Sequence, residues 1–217
     1  MARTVVLAGA TGLVGREILK GLLSDPSVTA IHMLGRRALA VSDPRIKSHV
    51  VDFAALAALP AGIDKVDEVY LALGTTIKVA GSQEAFRAVD FDANLAVAKA
   101  ALAAGARRSG LVSAMGASAK SGIFYSRVKG ELEDALAALP FEGLVIARPS
   151  MLAGDRESLG QPERGGEVLA LKVTRWLRPL IPRNYRSIQA AEVAGALLRA
   201  VPTARGKAVL LSGMMQP

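Results

Sequence analysis

A tyrosine and a lysine stand four residues apart in the run Tyr125-Ser126-Arg127-Val128-Lys129. On a helix, that spacing places both side chains on one face, a single turn apart. A free phenol ionises at a pKa of about 10, too high for easy proton exchange near neutrality, and a fixed ammonium nearby lowers that value. The pair therefore reads as a proton donor and its modulator. Ser113, twelve residues before Tyr125, closes a short apolar run. A hydroxyl there would hold a carbonyl oxygen while Tyr125 protonates it. Ser118, Ser121 and Ser126 read as loop or helix-surface hydroxyls. The spacing alone also has a plainer meaning, a half-buried tyrosine beside a solvated lysine, so the rest of the chain has to decide.

The deciding context is Gly9-Ala10-Thr11-Gly12-Leu13-Val14-Gly15, which follows the first apolar run and opens the first helical one. Gly9 permits a tight strand-to-helix turn, Gly12 lets the backbone approach a pyrophosphate, and Gly15 lets the helix pack on the sheet. The amides around Thr11, Leu13 and Val14 then face the anion at the helix N-terminus. A capping turn without a ligand is the alternative. The second strand should end on the residue that selects the cofactor, an acidic one for the ribose 2′-hydroxyl of NAD. Here Leu34-Gly35-Arg36-Arg37 brings two guanidiniums and no carboxylate. Arginine matches a 2′-phosphate through bidentate, charge-assisted hydrogen bonds. The expectation is NADP(H) in preference to NAD(H), unless Arg36 and Arg37 are solvated loop charges. Asp52 and Phe53 end the third strand, where Asp52 either accepts from the adenine amino group or caps the following helix. Leu73, Gly74 and Thr75 end the fourth, where a small residue admits the adenosine ribose. Lys129 would also bond a cofactor ribose.

These residues need a scaffold, and the hydropathy pattern supplies one. Apolar runs of strand length fall at residues 4–8, 29–34, 47–51, 68–73, 110–113, 144–147 and 208–211. They are rich in Val, Leu and Ile with little polar alternation, as strands covered on both faces are. Helical stretches lie between them at 12–23, 83–104, 124–139, 166–177 and 190–200. The alternation predicts βαβ units and a Rossmann-like, doubly wound parallel sheet of the α/β class. Ser24-Asp25-Pro26 should close the first helix and Gly105 the long one. No repeat, low-complexity tail or linker divides the 217 residues, so one domain over 1–217 is expected, with about 149–186 as a small substrate-side excursion. Cysteine is absent and only His32 and His49 represent histidine. Thiolate chemistry, disulfides and Cys- or His-rich metal centres are thereby excluded. The net charge of +8 comes from basic residues spread along the chain, and aromatics make up only 4%. That argues against specific nucleic-acid binding and for anionic partners such as a phosphorylated cofactor. The chain has neither a secretory signal pattern nor a stretch of roughly 20 apolar residues, and a cytoplasmic location is the default expectation.

The order of the glycine loop, Ser113 and Tyr125-x-x-x-Lys129 resembles the short-chain dehydrogenase/reductase superfamily. More narrowly, Leu34–Arg37, Leu73–Thr76, Phe124–Glu133, Ala147-Arg148-Pro149 and Gly154–Ser158 resemble a small atypical branch, the Tat-interacting oxidoreductase-like proteins. The resemblance runs from about Val5 to Ala200. It implies a Rossmann fold, NADPH binding and a catalytic Ser113, Tyr125 and Lys129. It also implies that Pro149, Ser150 and Met151 floor the nicotinamide end of the cofactor. Many members carry an asparagine in the long helix after the fourth strand that completes a proton relay; here either Asp90 or Asn94 would fill that role. Only about seventy residues follow Arg148, too few for the substrate domain of related sugar epimerases. Asp155, Arg156 and Glu157 would orient a polar substrate or form an ion-pair network of their own. Residues 171–186 interleave Trp176, Leu177, Leu180 and Ile181 with Lys172, Arg175, Arg178, Arg183 and Arg186, to wall a pocket, form an amphipathic surface, or pack as core with snorkelling arginines. The expected function is reduction of a small carbonyl compound by NADP(H). The alternative is an NADPH-sensing regulatory protein that signals occupancy to a protein partner. Residues 83–104 and 124–139 offer a homodimer face.

Overall fold

Every strand expected from an apolar run forms, and all seven join one sheet. The structure, a computed structural model, describes residues 2–39, 42–153 and 182–217. In chain order the strands are β1 (Arg3–Ala8), β2 (Val28–Gly35), β3 (Ile46–Val50), β4 (Glu68–Leu71), β5 (Arg108–Val112), β6 (Gly143–Arg148), β7 (Leu152–Ala153), β8 (Ile188–Gln189) and β9 (Gly206–Leu211). The large sheet runs β3-β2-β1-β4-β5-β6-β9 with every neighbour parallel, while β7 and β8 pair separately.

The covered faces explain why these runs lack polar alternation. Val5 and Leu7 join one core with Ile18 and Leu22 of α1 (Leu13–Ser24), and the next-but-one neighbours Val6 and Ala8 join another. That second core is completed by Val97 and Ala101 of α4 (Asn94–Ala103) and by Leu132 and Leu136 of α5 (Phe124–Ala137). Val193 and Leu197 of α6 (Ala190–Ala200) complete the first. Successive strand residues point to opposite faces, so a strand with helices on both sides must be apolar throughout. At the amino edge of the sheet, Glu68 is buried but satisfied: Arg3 lies 2.6 Å from it and the Tyr70 hydroxyl donates to it at 3.0 Å.

One expected element is different. The single helix over 83–104 is instead α3 (Gln83–Arg87), a π-helical turn over Ala88–Ala93, and α4; a short α2 (Ile77–Ala80) precedes it. A π turn widens the ladder and frees carbonyls. Asn94 Nδ2 takes up the Val89 and Asp90 carbonyls at 3.3 and 3.1 Å, and that of Leu73 at 3.1 Å. The periodicity of Ala and Leu shows none of this, because the widening is fixed by side-chain hydrogen bonds. The helix expected over 166–177 lies outside the described residues.

Candidate functional site at the carboxyl edge

The strand order reverses between β1 and β4, and the loops that leave their carboxyl ends part in opposite directions. Ligands of open α/β sheets bind in the crevice so formed. Gly9 leads out of β1 at φ +93, and a Cβ there would stand 2.3 Å from the Ala72 carbonyl oxygen. A Cβ on Gly15 would stand 1.9 Å from the Gly9 oxygen, so the first turn of α1 lies directly on the loop. Both glycines are demanded by the protein itself. Gly12 is not: its φ is −75, and its Cβ would meet only Gly9 O at 3.4 Å and Ala72 O at 3.9 Å. Gly12 caps α1 without a side-chain hydrogen bond, and the first turn carries no acidic residue. Free amides, the positive end of the helix dipole and an unfilled space beside Gly12 fit a diphosphate. Thr11, Leu13 and Val14 lie on this loop and first turn.

At the adenosine end, Arg36 and Arg37 are exposed just beyond β2. Asp52 accepts from Ala54 N at 3.0 Å and caps the short helix Phe53–Ala55. Of the two roles open to it, this geometry is the capping one. Phe53 packs partly buried against the second core.

The middle of the edge holds Lys129. Its Nζ lies 2.7 Å from Asp90 Oδ1, with the side chains 6% and 1% exposed. The contact is an ion pair without hydrogen-bond alignment, so Oδ1 lacks a hydrogen-bond donor. Asp90 Oδ2 accepts from Thr75 N at 2.8 Å. A Cβ on Gly74 would come within 3.6 Å of Asp90 Oδ1 and 3.9 Å of Lys129 Nζ, so the missing side chain keeps this approach open. Of the two relay candidates, Asp90 meets the lysine, whereas Asn94 holds the turn beneath it.

Tyr125, Lys129 and Glu133 follow one another at successive turns of α5. The Tyr125 ring leans on Phe86, with centroids 5.6 Å apart. Ser113, one residue past β5, donates its hydroxyl proton to Glu133 Oε1 at 2.5 Å. Glu133 is 1% exposed and is gripped by Arg148 at the end of β6: Nε lies 3.0 and 3.2 Å from its two oxygens and Nη2 2.5 Å from Oε2. The Glu133 carboxylate in turn raises the Arg148 guanidinium above its ordinary value. The loop after Ser113 folds onto α5 at Gly130, where a Cβ would stand 2.1 Å from the Ser118 carbonyl carbon. Sequence reasoning missed Glu133, Arg148 and Gly130 as site-building residues. The signals were a carboxylate in the same i, i+4, i+8 stripe and a glycine inside a helical run.

Past β6, the Pro149 carbonyl accepts from Met115 N at 2.8 Å and that of Met151 from Ile188 N at 3.0 Å. Ser150 donates to the Arg186 carbonyl and lies 2.9 Å from Ser212 Oγ. Asp155, Arg156, Glu157, Lys172, Arg175, Trp176, Leu177, Arg178, Leu180 and Ile181 lie outside the described residues.

The edge is thus a crevice with an uncapped helix N-terminus at one end and a buried polar stripe at the other. A family model described as NAD(P)H-binding matches residues 9–175. The chain belongs to that NAD(P)H-binding family. Among relatives, the Protein fmp52, mitochondrial, of Emericella nidulans is 41% identical over 159 residues, which is 70% of this chain and 68% of that protein. The Protein FMP52, mitochondrial, of Coccidioides immitis is 35% identical over 209 residues, 91% of this chain and 85% of that one. The chain belongs with these Fmp52 proteins. Their names overturn the cytoplasmic expectation: both are named mitochondrial, and a cysteine-free composition carries no address. An oxidoreductase of the short-chain dehydrogenase/reductase family from Burkholderia thailandensis superposes with a TM-score of 0.68 at 18% identity, covering 99% of this chain and 93% of that one. The Bordetella bronchiseptica enzyme WbmH, solved in complex with NAD+, gives 0.69 at 14% identity, with 97% and 75% covered. These likenesses are of fold: the NAD(P)H-binding domain is Rossmann-like, with short-chain-dehydrogenase-type neighbours.

Proposed function

We propose that the protein is an NADP(H)-dependent reductase of a small carbonyl compound, working as a single domain. The observation that carries this reading is the alignment, on one sheet edge, of the free α1 N-terminus behind Gly9 with the Tyr125–Lys129 stripe of α5. Residues 9–15 would hold the diphosphate, Arg36 and Arg37 the 2′-phosphate, and Lys129 the nicotinamide ribose, above a floor of Pro149, Ser150 and Met151. When bound, the reduced nicotinamide supplies a hydride to the carbonyl carbon. Tyr125 gives its phenolic proton to the carbonyl oxygen and is reprotonated from solvent. Asp90 keeps Lys129 in place while it does so. A Tyr125→Phe variant should retain its NADPH Kd and lose most turnover; unchanged turnover removes Tyr125 as the acid.

A second reading, an NADPH-sensing regulatory protein, draws support from one feature. Lys129 and Ser113 both have buried partners in the ligand-free protein, Asp90 and Glu133, so neither polar group needs a substrate. The resemblance to the Tat-interacting oxidoreductase-like branch points the same way. Tight NADPH binding with no turnover across aldehydes, ketones and quinones would favour the sensor; steady turnover of any of them would favour the reductase.

A further inference from the structure

The direction of the Ser113 hydrogen bond bears on the substrate. A serine that anchors a reacting carbonyl must donate to it, since a carbonyl oxygen has no proton to offer. In this protein the one hydroxyl proton of Ser113 goes to Glu133 Oε1. Glu133 cannot hand it back. Its carboxylate is buried, faces Arg148 with both oxygens, and stays charged beside that guanidinium. Turning the hydroxyl elsewhere would strip a buried carboxylate of a donor, which is costlier than forgoing an ordinary hydrogen bond. What Ser113 has left is lone pairs. Its partner in the crevice must bring a proton of its own.

The reacting oxygen is not that partner. During reduction it receives the proton of Tyr125 and has none to donate. The donor must therefore sit on a neighbouring atom of the substrate. Ser113 ends β5 and Tyr125 opens α5, and the loop between them is folded back on that helix: Ser118 N donates to Ser126 O at 3.0 Å, and Gly130 admits the loop backbone. The two side chains thus belong to one corner of the site, suited to a pair of adjacent oxygens.

We propose that Ser113 is a hydrogen-bond acceptor in this site and that the substrate is an α-hydroxy carbonyl compound. Its hydroxyl donates to Ser113 Oγ, and its carbonyl oxygen takes the proton of Tyr125. The step balances as an ordinary carbonyl reduction: one hydride from the reduced nicotinamide to carbon, one proton from Tyr125 to oxygen, giving a vicinal diol. This rests on the reductase reading above.

The test is a set of matched pairs with NADPH saturating: acetoin against butanone, and 2-hydroxyacetophenone against acetophenone. The hydroxylated member of each pair should be preferred at least tenfold in kcat/KM, the worth of one buried hydrogen bond. In Ser113→Ala the preference should fall below threefold, mostly through loss on the hydroxylated member, with the NADPH Kd confirming a folded protein. Equal turnover within each pair, or a Ser113→Ala variant that loses both members alike, overturns the proposal and leaves the reductase reading standing. Silence on every pair while NADPH binds overturns both.

Discussion

Gly12→Ala separates what the fold needs from what the ligand needs. The added methyl would stand 3.4 Å from the Gly9 oxygen and 3.9 Å from that of Ala72, both ordinary contacts, and φ is −75. The folded protein therefore loses only the small N-cap advantage of glycine over alanine, about 1 kcal/mol, or roughly 2–4 °C in Tm for a chain of this size. The ligand loses more. The methyl occupies the space through which a diphosphate reaches the α1 amides, and each charge-assisted bond forfeited costs about 1.5–3 kcal/mol. One such loss raises the NADPH Kd roughly 10- to 150-fold. Gly15→Ala is the contrast: its methyl would overlap the Gly9 oxygen at 1.9 Å, so stability and binding should fall together. Calorimetric titration with NADPH, beside thermal melts of both variants, reads the two effects apart. If Gly12→Ala binds NADPH within threefold of the parent, the diphosphate is not where the glycine loop would put it.

Other perturbations test other parts. Arg36→Ala with Arg37→Ala should weaken NADPH by tenfold or more and leave NADH nearly unchanged; equal loss for both removes the 2′-phosphate role. Asp90→Asn strands the buried Lys129 ammonium and should cost about 3–5 kcal/mol in urea unfolding, much of it recovered when Lys129→Met is added; strict additivity would deny the coupling. His32 is buried, with Nδ1 3.0 Å from His49 Nε2, and burial, then His49 and Lys47, hold its pKa down at about 4. Because the folded state refuses a proton that the unfolded chain accepts below about 6.5, stability should fall between pH 6.5 and 4, by up to about 3 kcal/mol. His32→Leu should flatten that window in urea titrations, and an unchanged slope would assign it to other groups.

The seven strands of the main sheet, their parallel order and the glycine loop were legible because each depends on local pattern. An apolar run without alternation needs cover on both faces, and three glycines between strand and helix need a turn. Arg36, Arg37, Tyr125 and Lys129 could be placed at an edge or on a helix face from spacing alone. The two roles of Asp52 could not be told apart that way, since an adenine and a helix N-terminus both present N–H donors, and the capping bond to Ala54 appears only in the folded chain.

Sequence by itself thus determined the Rossmann architecture and the edge on which chemistry can occur. Tertiary structure decided the partners: Asp90 for Lys129, Glu133 for Ser113, Arg148 for Glu133. Those pairs join residues 39, 20 and 15 positions apart. Hydropathy and periodicity describe how one segment meets an average interior. Which buried charge faces which is settled only when β5, β6, α5 and the π turn pack together, because a desolvated ion must find its counter-charge across elements.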